Sequence, residues 1–122
     1  MKSKQNILIV DDNTQLNEML KIILESENFI IKQAYNGKEA FKISISEDID
    51  LVIMDLMMPQ MNGESAIKAI YHANPKTKFI IISGNMGLIS KDTLRKYNVI
   101  GFFDKPFHIP EIIDTIKLAL SS

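Results

Sequence analysis

The feature that most constrains the fold is an alternation between two hydrophobic periods along the chain. Short aliphatic runs, of the kind that form strands buried on both faces, alternate with stretches whose apolar residues recur at helical spacing. The predicted strands cover residues 7–10, 29–34, 51–54, 78–82 and 100–103. The clearest helical stripes follow the first and last strands, and a further helix is predicted over 88–97. This pattern predicts an α/β protein with a doubly wound parallel sheet and helices on both faces.

Length and composition favour a single domain over residues 1–122, with a core from about 6 to 120. The formal net charge of −1 gives no basic field for nucleic acid or an anionic membrane, so neither is an expected partner. The absence of cysteine excludes disulfides and thiolate chemistry. The first residues are too short an apolar stretch for a signal peptide or membrane span, so we expect a cytoplasmic protein. Because the sequence starts at Met1 and carries no obvious tag, we expect a stand-alone protein, with a piece of a longer protein as the alternative.

Acidic residues follow two of the predicted strands. If the sheet has the flavodoxin-like strand order 2-1-3-4-5, in a (βα)5 three-layer sandwich, the first and third strands are neighbours. Asp11, Asp12 and Asp55 then meet at the carboxyl edge, where three carboxylates repel one another. A hard cation with oxygen ligands would compensate this charge, which predicts Mg²⁺, with Mn²⁺ as the alternative ion.

Two further polar residues end the outer strands on the same side. Ser83 follows the fourth strand and could reach a group attached to Asp55. Lys105 follows the fifth strand, and its long stem suits the greater distance. A carboxylate nucleophile, a cation cradle, a hydroxyl and an ammonium are the parts of a phosphoryl-transfer site.

Four motifs together resemble the receiver domain of two-component response regulators, over essentially the whole chain. They read ILIVDDN, DLVIMDLMMPQMNG, IIISG and GFFDKPF. The resemblance implies that Asp55 accepts a phosphoryl group, while Asp12, Asp11 and the backbone carbonyl of Met57 hold Mg²⁺. It also implies that Ser83 and Lys105 contact the phosphoryl group, that Phe102 is an aromatic switch, and that the Lys105–Pro106 bond is cis.

The resemblance further implies the partners. The phosphoryl donor would be a histidine kinase or a histidine phosphotransfer protein, and the output an unidentified protein that binds the fourth-helix, fifth-strand, fifth-helix face. Leu16 and Met19 on the first helix are the predicted donor-docking residues, although Leu16 also suits the core. Catalysis would be limited to the protein's own phosphorylation and dephosphorylation, so it is not expected to be an enzyme otherwise.

Three other functions fit parts of the pattern. A haloacid-dehalogenase-like phosphatase also uses a strand-end aspartate, but it expects a second Asp where this chain has Met57. A flavin binder would need a phosphate loop after the first strand, where Asp11 and Asp12 would repel phosphate. A receiver-like interaction module that is never phosphorylated would not need the full polar set. For Phe102, plain core packing is the alternative to a switch.

Overall fold

Strands and helices alternate strictly along the described part of the chain. The structure, a computed structural model, describes residues 4–57, 62–85, 87 and 89–121. The strands are β1 (Asn6–Val10), β2 (Ile30–Ala34), β3 (Leu51–Asp55), β4 (Lys78–Ser83) and β5 (Val99–Asp104). The helices are α1 (Thr14–Ser26), α2 (Gly37–Ser46), α3 (Gly63–Ala73), α4 (Lys91–Lys96) and α5 (Ile109–Leu120).

The five strands form one parallel sheet in the order β2-β1-β3-β4-β5, which confirms the predicted doubly wound flavodoxin-like fold. Val10 of β1 lies opposite Ala34 of β2 on one side and Met54 of β3 on the other. Because both strands run the same way, Asp11 and Asp55 follow these paired residues at the same edge of the sheet.

The core has two halves, one on each face of the sheet. Along β3, Val52 and Met54 contribute to one half, whereas Leu51 and Ile53 contribute to the other. The first half packs against α2, α3 and α4, and the second against α1 and α5, which gives the predicted three layers. Each such buried aliphatic side chain stabilises the fold by about 1.5–3 kcal/mol relative to exposure.

Asparagine side chains cap three helices at their amino ends. Asn13, Asn36 and Asn62 each accept a hydrogen bond from the backbone N–H three residues later, at 2.8–3.1 Å. A cap of this type contributes about 1 kcal/mol. The three caps fix where α1, α2 and α3 begin.

The start of the fourth helix differs from the sequence-based prediction, and Phe102 differs from one of its two interpretations. The fourth helix begins at Lys91, with Ser90 as its cap, and not at residue 88; Leu88 itself lies outside the described residues. Ser90 is held from outside the helix by Glu64, a tertiary contact that helical periodicity does not reveal. Phe102 is 55% exposed, so plain core packing is wrong for this residue.

The segment between β5 and α5 contains the cis peptide bond that was expected there. The Lys105–Pro106 bond is cis, as the resemblance implied. Helix α5 has Pro110 in its first turn, and its cap residue His108 makes no side-chain capping hydrogen bond. Among the described helices, none combines the length and apolar character needed to cross a membrane.

Candidate functional site

Three aspartates meet at the carboxyl edge of the sheet, as the strand order predicted. One carboxylate oxygen each from Asp11, Asp12 and Asp55 lies within 4.8 Å of the other two. Asp11 and Asp55 are buried, with 0% and 4% exposure, while Asp12 is exposed. The cluster is therefore open to solvent on one side and walled by the sheet on the other.

Backbone N–H groups hold the two buried carboxylates. Asp55 Oδ1 accepts a hydrogen bond from the Met57 N–H at 3.1 Å, and Asp11 Oδ1 accepts one from the Asn13 N–H at 2.9 Å. Each bond spans two residues along the chain and fixes the carboxylate against its own loop. One oxygen of each residue is thereby occupied, and the second oxygen of each faces the shared cluster with Lys105.

Lys105 brings a positive charge to both buried carboxylates. Its Nζ lies 3.4 Å from Asp55 Oδ2 and 3.5 Å from Asp11 Oδ2. At these lengths the contacts are ion pairs with weak hydrogen-bond geometry. The ammonium is therefore shared between two carboxylates, and neither is fully satisfied by it.

Asp11 lies in an environment that disfavours a negative charge on its carboxyl group. Burial raises the pKa of its carboxyl above the ordinary value of 3.8, and the charge of Asp55 raises it further. The Asn13 N–H and the Lys105 ammonium oppose that shift. Asp11 Oδ2 is buried and has no hydrogen-bond partner among the residues that the structure describes. A buried acceptor without a donor is costly, so this atom is suited to a ligand.

The cluster fits a hard divalent cation. All of its donors are carboxylate oxygens, which Mg²⁺ prefers, and the exposed side at Asp12 leaves room for the waters that Mg²⁺ retains. Asp11 Oδ2, which has only the Lys105 ammonium at 3.5 Å and no hydrogen-bond donor among the described residues, would gain a ligand. Asp11, Asp12 and Asp55 could therefore hold a metal ion.

Ser83 lies next to the cluster, but its hydroxyl is already engaged. It is the residue after Ile82, which pairs with Asp55 across β3 and β4. The fully buried Ser83 Oγ accepts from the Asn85 N–H at 3.0 Å and donates to the Asn85 carbonyl at 3.2 Å. The Ser83 carbonyl accepts from the Lys105 N–H at 2.9 Å. Ser83 and Lys105 are thus joined through the backbone.

The loop after Asp55 is closed by a glycine. The Gly63 N–H donates to the Leu56 carbonyl at 3.3 Å. A Cβ at Gly63 would lie 2.7 Å from Leu56 Cα and 2.8 Å from the Asp55 carbonyl oxygen, which only glycine avoids. Met57 is 58% exposed beside the site. Residues 58–61 of the motif lie outside the described residues, and the Met57 carbonyl as a metal ligand stays a prediction.

The remaining predicted site residues are not members of the aspartate cluster. Leu16 is partly buried and packs against the core half that α1 and α5 share. Met19 is 39% exposed and lines an apolar groove of about 640 Å³ on α1, with Ile22, Ile23 and Tyr35 among the other lining residues. Phe102 lies outward on the edge strand β5.

Sequence reasoning missed Asn17. Its side chain is fully buried and bonded to the backbone of Asp11. The available signal was its position, because Asn17, Leu20 and Leu24 form the buried face of α1. A polar residue on an apolar stripe needs buried partners.

Comparison with known proteins agrees with the fold. The family model described as the response regulator receiver domain matches residues 7–117. The chain therefore belongs to the receiver domain family of two-component response regulators.

Similar proteins include the response regulator ArlR of Staphylococcus saprophyticus, 32% identical over 93% of this chain and 51% of that protein. The chain spans about half the length of the curated relatives it matches. A CheY-like receiver domain from Methanospirillum hungatei aligns with a TM-score of 0.88 at 25% identity, covering 98% of this chain and 95% of that one. The response regulator TrrA of Thermotoga maritima, solved with Mg²⁺–BeF, aligns with a TM-score of 0.85 at 30% identity, covering 95% and 99%.

Proposed function

We propose that this chain is a phosphorylation-dependent signalling switch in which Asp55 is the phosphoryl acceptor. The observation that carries the proposal is the convergence of Asp11, Asp12 and Asp55 on one point, with the Lys105 ammonium between the two buried carboxylates. A structural ion pair needs one carboxylate for one lysine. Three carboxylates with a single shared ammonium are arranged for additional positive charge.

In the proposed reaction, a carboxylate oxygen of Asp55 attacks the phosphorus of a phosphohistidine. The new P–O bond forms as the P–N bond breaks, and the imidazole nitrogen keeps the electron pair of the broken bond. The Met57 N–H and the buried strand end hold the nucleophile in place. Its rigid position provides the orientation on which phosphoryl transfer mainly depends.

Mg²⁺, held by Asp11, Asp12, Asp55 and the Met57 carbonyl, would supply neutralisation of the phosphoryl charge. The Mg²⁺ in the TrrA structure supports this choice of ion, and Mn²⁺ has the same preference for oxygen ligands. Lys105 would exchange its pairing with Asp11 for a phosphoryl oxygen.

The output begins at Ser83. Phosphorylation adds about −1.5 to −2 charges and three acceptor oxygens. The Ser83 hydroxyl would leave Asn85 to donate to one of them, which would move the segment leading to α4. Phe102, now exposed, would then turn inward and change the surface formed by α4, β5 and α5. A protein target would bind this changed surface.

Receiver domains of this family interact with histidine kinases, and a kinase or a phosphotransfer protein is the proposed donor. The apolar groove on α1 suits donor docking, because it begins at Thr14, two residues from Asp12. Met19 contributes to this groove, whereas Leu16 belongs to the packing beneath it. The proposed location is the cytoplasm, where kinase phosphodonor domains lie. We propose that this protein catalyses only its own phosphorylation and dephosphorylation.

The test is incubation with acetyl phosphate and MgCl₂, followed by intact-mass measurement. We expect a base-labile mass increase of one phosphoryl group on the wild type and none on Asp55→Asn, which keeps the size of the side chain. Omission of Mg²⁺ should abolish the adduct. A wild-type protein that binds Mg²⁺ and forms no adduct would overturn the proposal in favour of a silent interaction module. Steady hydrolysis of unrelated phosphate esters would instead indicate a phosphatase.

A further inference from the structure

Asn17 lies near the amino end of α1 and is completely buried. Its Nδ2 donates two hydrogen bonds of 3.0 Å, one to the carbonyl of Asp11 and one to the carbonyl of Ala34. The Asp11 N–H also donates to the Ala34 carbonyl, at 3.2 Å. Both polar groups of the Asp11 backbone are therefore tied down, and one side chain joins the end of β1 to the end of β2.

The Asp11 carbonyl belongs to the peptide bond that connects Asp11 to Asp12. Fixing the direction of this carbonyl fixes the plane of that peptide, because the peptide unit is rigid. Asp12 is exposed, and its Cα lies in this plane. The hydrogen bonds of Asn17 thus help to fix the position of the Asp12 Cα, from which the Asp12 carboxylate reaches Asp11 and Asp55.

The Asn17 amide is itself held in one orientation. Gln33 on β2 donates from Nε2 to Asn17 Oδ1 at 3.0 Å, and also to Glu18 Oε2 at 3.2 Å. If the amide turned over, Oδ1 would face two carbonyl oxygens and Nδ2 would face the Gln33 amide nitrogen. Both contacts would be repulsive, so Gln33 supports the orientation that serves Asp11.

We infer that Asn17 is a positioning residue for the divalent-cation site, acting through the Asp11–Asp12 peptide and supported by Gln33. The inference rests on the metal site of the proposed function. It separates Asn17 from an ordinary buried polar residue, whose loss would lower stability and leave cation affinity unchanged. Outer-sphere partners of metal ligands typically change metal affinity by about 10–100-fold when removed.

The experiment compares Asn17→Ala with Thr77→Val by titrating MgCl₂ into ¹⁵N-labelled protein and following amide chemical shifts. Thr77 is also buried and donates to the Ile49 carbonyl at 3.4 Å, but it precedes β4 at the opposite end of the sheet. We expect both variants to melt at lower temperature than the wild type. Only Asn17→Ala should raise the dissociation constant for Mg²⁺, by about tenfold or more.

A second variant covers the case in which Asn17→Ala does not fold. Gln33→Met keeps the length of a partly buried side chain and removes the support of the Asn17 amide. We expect a smaller loss of Mg²⁺ affinity, about threefold, with acetyl phosphate labelling restored at saturating Mg²⁺. Mg²⁺ affinities within twofold of wild type in the folded variants would overturn the inference. A wild type that does not bind Mg²⁺ would overturn the metal site itself, which is a different failure.

Discussion

The surroundings of Asp11 disfavour the negative charge of its ionised carboxylate. Its carboxyl is buried, lies beside Asp55, and has one oxygen without a hydrogen-bond donor among the described residues. A pKa raised in the folded state means that the protonated form is favoured by folding. That contribution is fully present below the unfolded pKa, near 3.8, and is lost as pH rises through the folded pKa. At neutral pH the ionised carboxylate therefore costs stability.

We predict that Asp11→Asn raises the melting temperature of the metal-free protein at pH 7. Asparagine keeps the acceptor for the Asn13 N–H and removes the repulsion of Asp55. A gain of about 1 kcal/mol corresponds to roughly 3–6 °C for a domain of this size. Thermal denaturation in EDTA measures it, and the gain should shrink as the pH falls toward 3.8. The exposed Asp12→Asn is the control; an Asp11→Asn protein that melts below it would contradict the prediction.

The positions of some site residues could be predicted from the sequence, whereas the positions of others could not. Asp11, Asp12, Asp55 and Lys105 could be brought together from the sequence, because each follows a strand and parallel strands end at one edge. The outward position of Phe102 could not. β5 is an edge strand in which Phe102 is exposed and Phe103 is partly buried, and either phenylalanine could occupy the inner face until the register is known.

Helix α4 is the element most dependent on its neighbours. Glu64, in the first turn of α3, accepts hydrogen bonds from the Ser90 N–H at 3.0 Å and from Thr93 Oγ1 at 2.7 Å. At the other end, the Tyr97 ring packs edge-on against Tyr71 with centroids 5.1 Å apart. A six-residue helix is too short to be stable alone, so these contacts hold it.

We predict that Glu64→Gln loosens α4. The Ser90 N–H, followed by the Thr93 hydroxyl, lowers the pKa of Glu64 below its ordinary value of 4.5. A lowered pKa stabilises the fold above the unfolded value, and the benefit is lost as pH falls through the folded pKa. Amide hydrogen exchange in α4 should therefore be several-fold faster in Glu64→Gln at pH 7, and the difference should vanish in acid.

The matched control for that experiment is Asp92→Asn. It removes a charge in the first turn of α4 that pairs with Arg95 on the exposed surface at 2.7 Å, and it leaves Glu64 in place. Exposed pairs of this kind contribute little. Equal exchange rates in the two variants would mean that Glu64 does not tether the helix. The start of α4 was mispredicted because helical periodicity does not reveal that Glu64 of α3 holds the cap residue Ser90.

On the scale of the whole molecule, a bound cation should stabilise the fold. A ligand that binds only the folded state adds RT ln(1 + [L]/Kd), which is about 1.4 kcal/mol at ten times Kd. We expect MgCl₂ at that level to raise the melting temperature by roughly 4–8 °C, measured by calorimetry. NaCl at equal ionic strength controls for screening of the carboxylates. An equal shift with NaCl would argue against a specific site, and Asp12→Asn should reduce the Mg²⁺ shift.

The overall topology was the most predictable level. Five strand-and-helix units with polar residues at the strand ends leave few alternatives to a doubly wound sheet, and the order β2-β1-β3-β4-β5 is what places Asp11 beside Asp55. Helix ends capped by asparagine could be read locally. Contacts between helices on the same face, such as Glu64 with Ser90, depend on packing that no local pattern encodes.

The two surfaces proposed for partners extend to opposite edges of the sheet, one at Tyr35 and the other at Phe102. The groove on α1 reaches Tyr35, directly after the edge strand β2, whereas Phe102 is on the other edge strand, β5. Four strand spacings, roughly 19 Å, separate these edges. The two surfaces are close at α1 and α5, because these helices pack on the same face of the sheet and Lys117 of α5 pairs with Glu27 at the end of α1 at 2.6 Å. Substitutions at the Tyr35 end of the groove would change donor docking and leave the Phe102 edge, four strands away, unaltered.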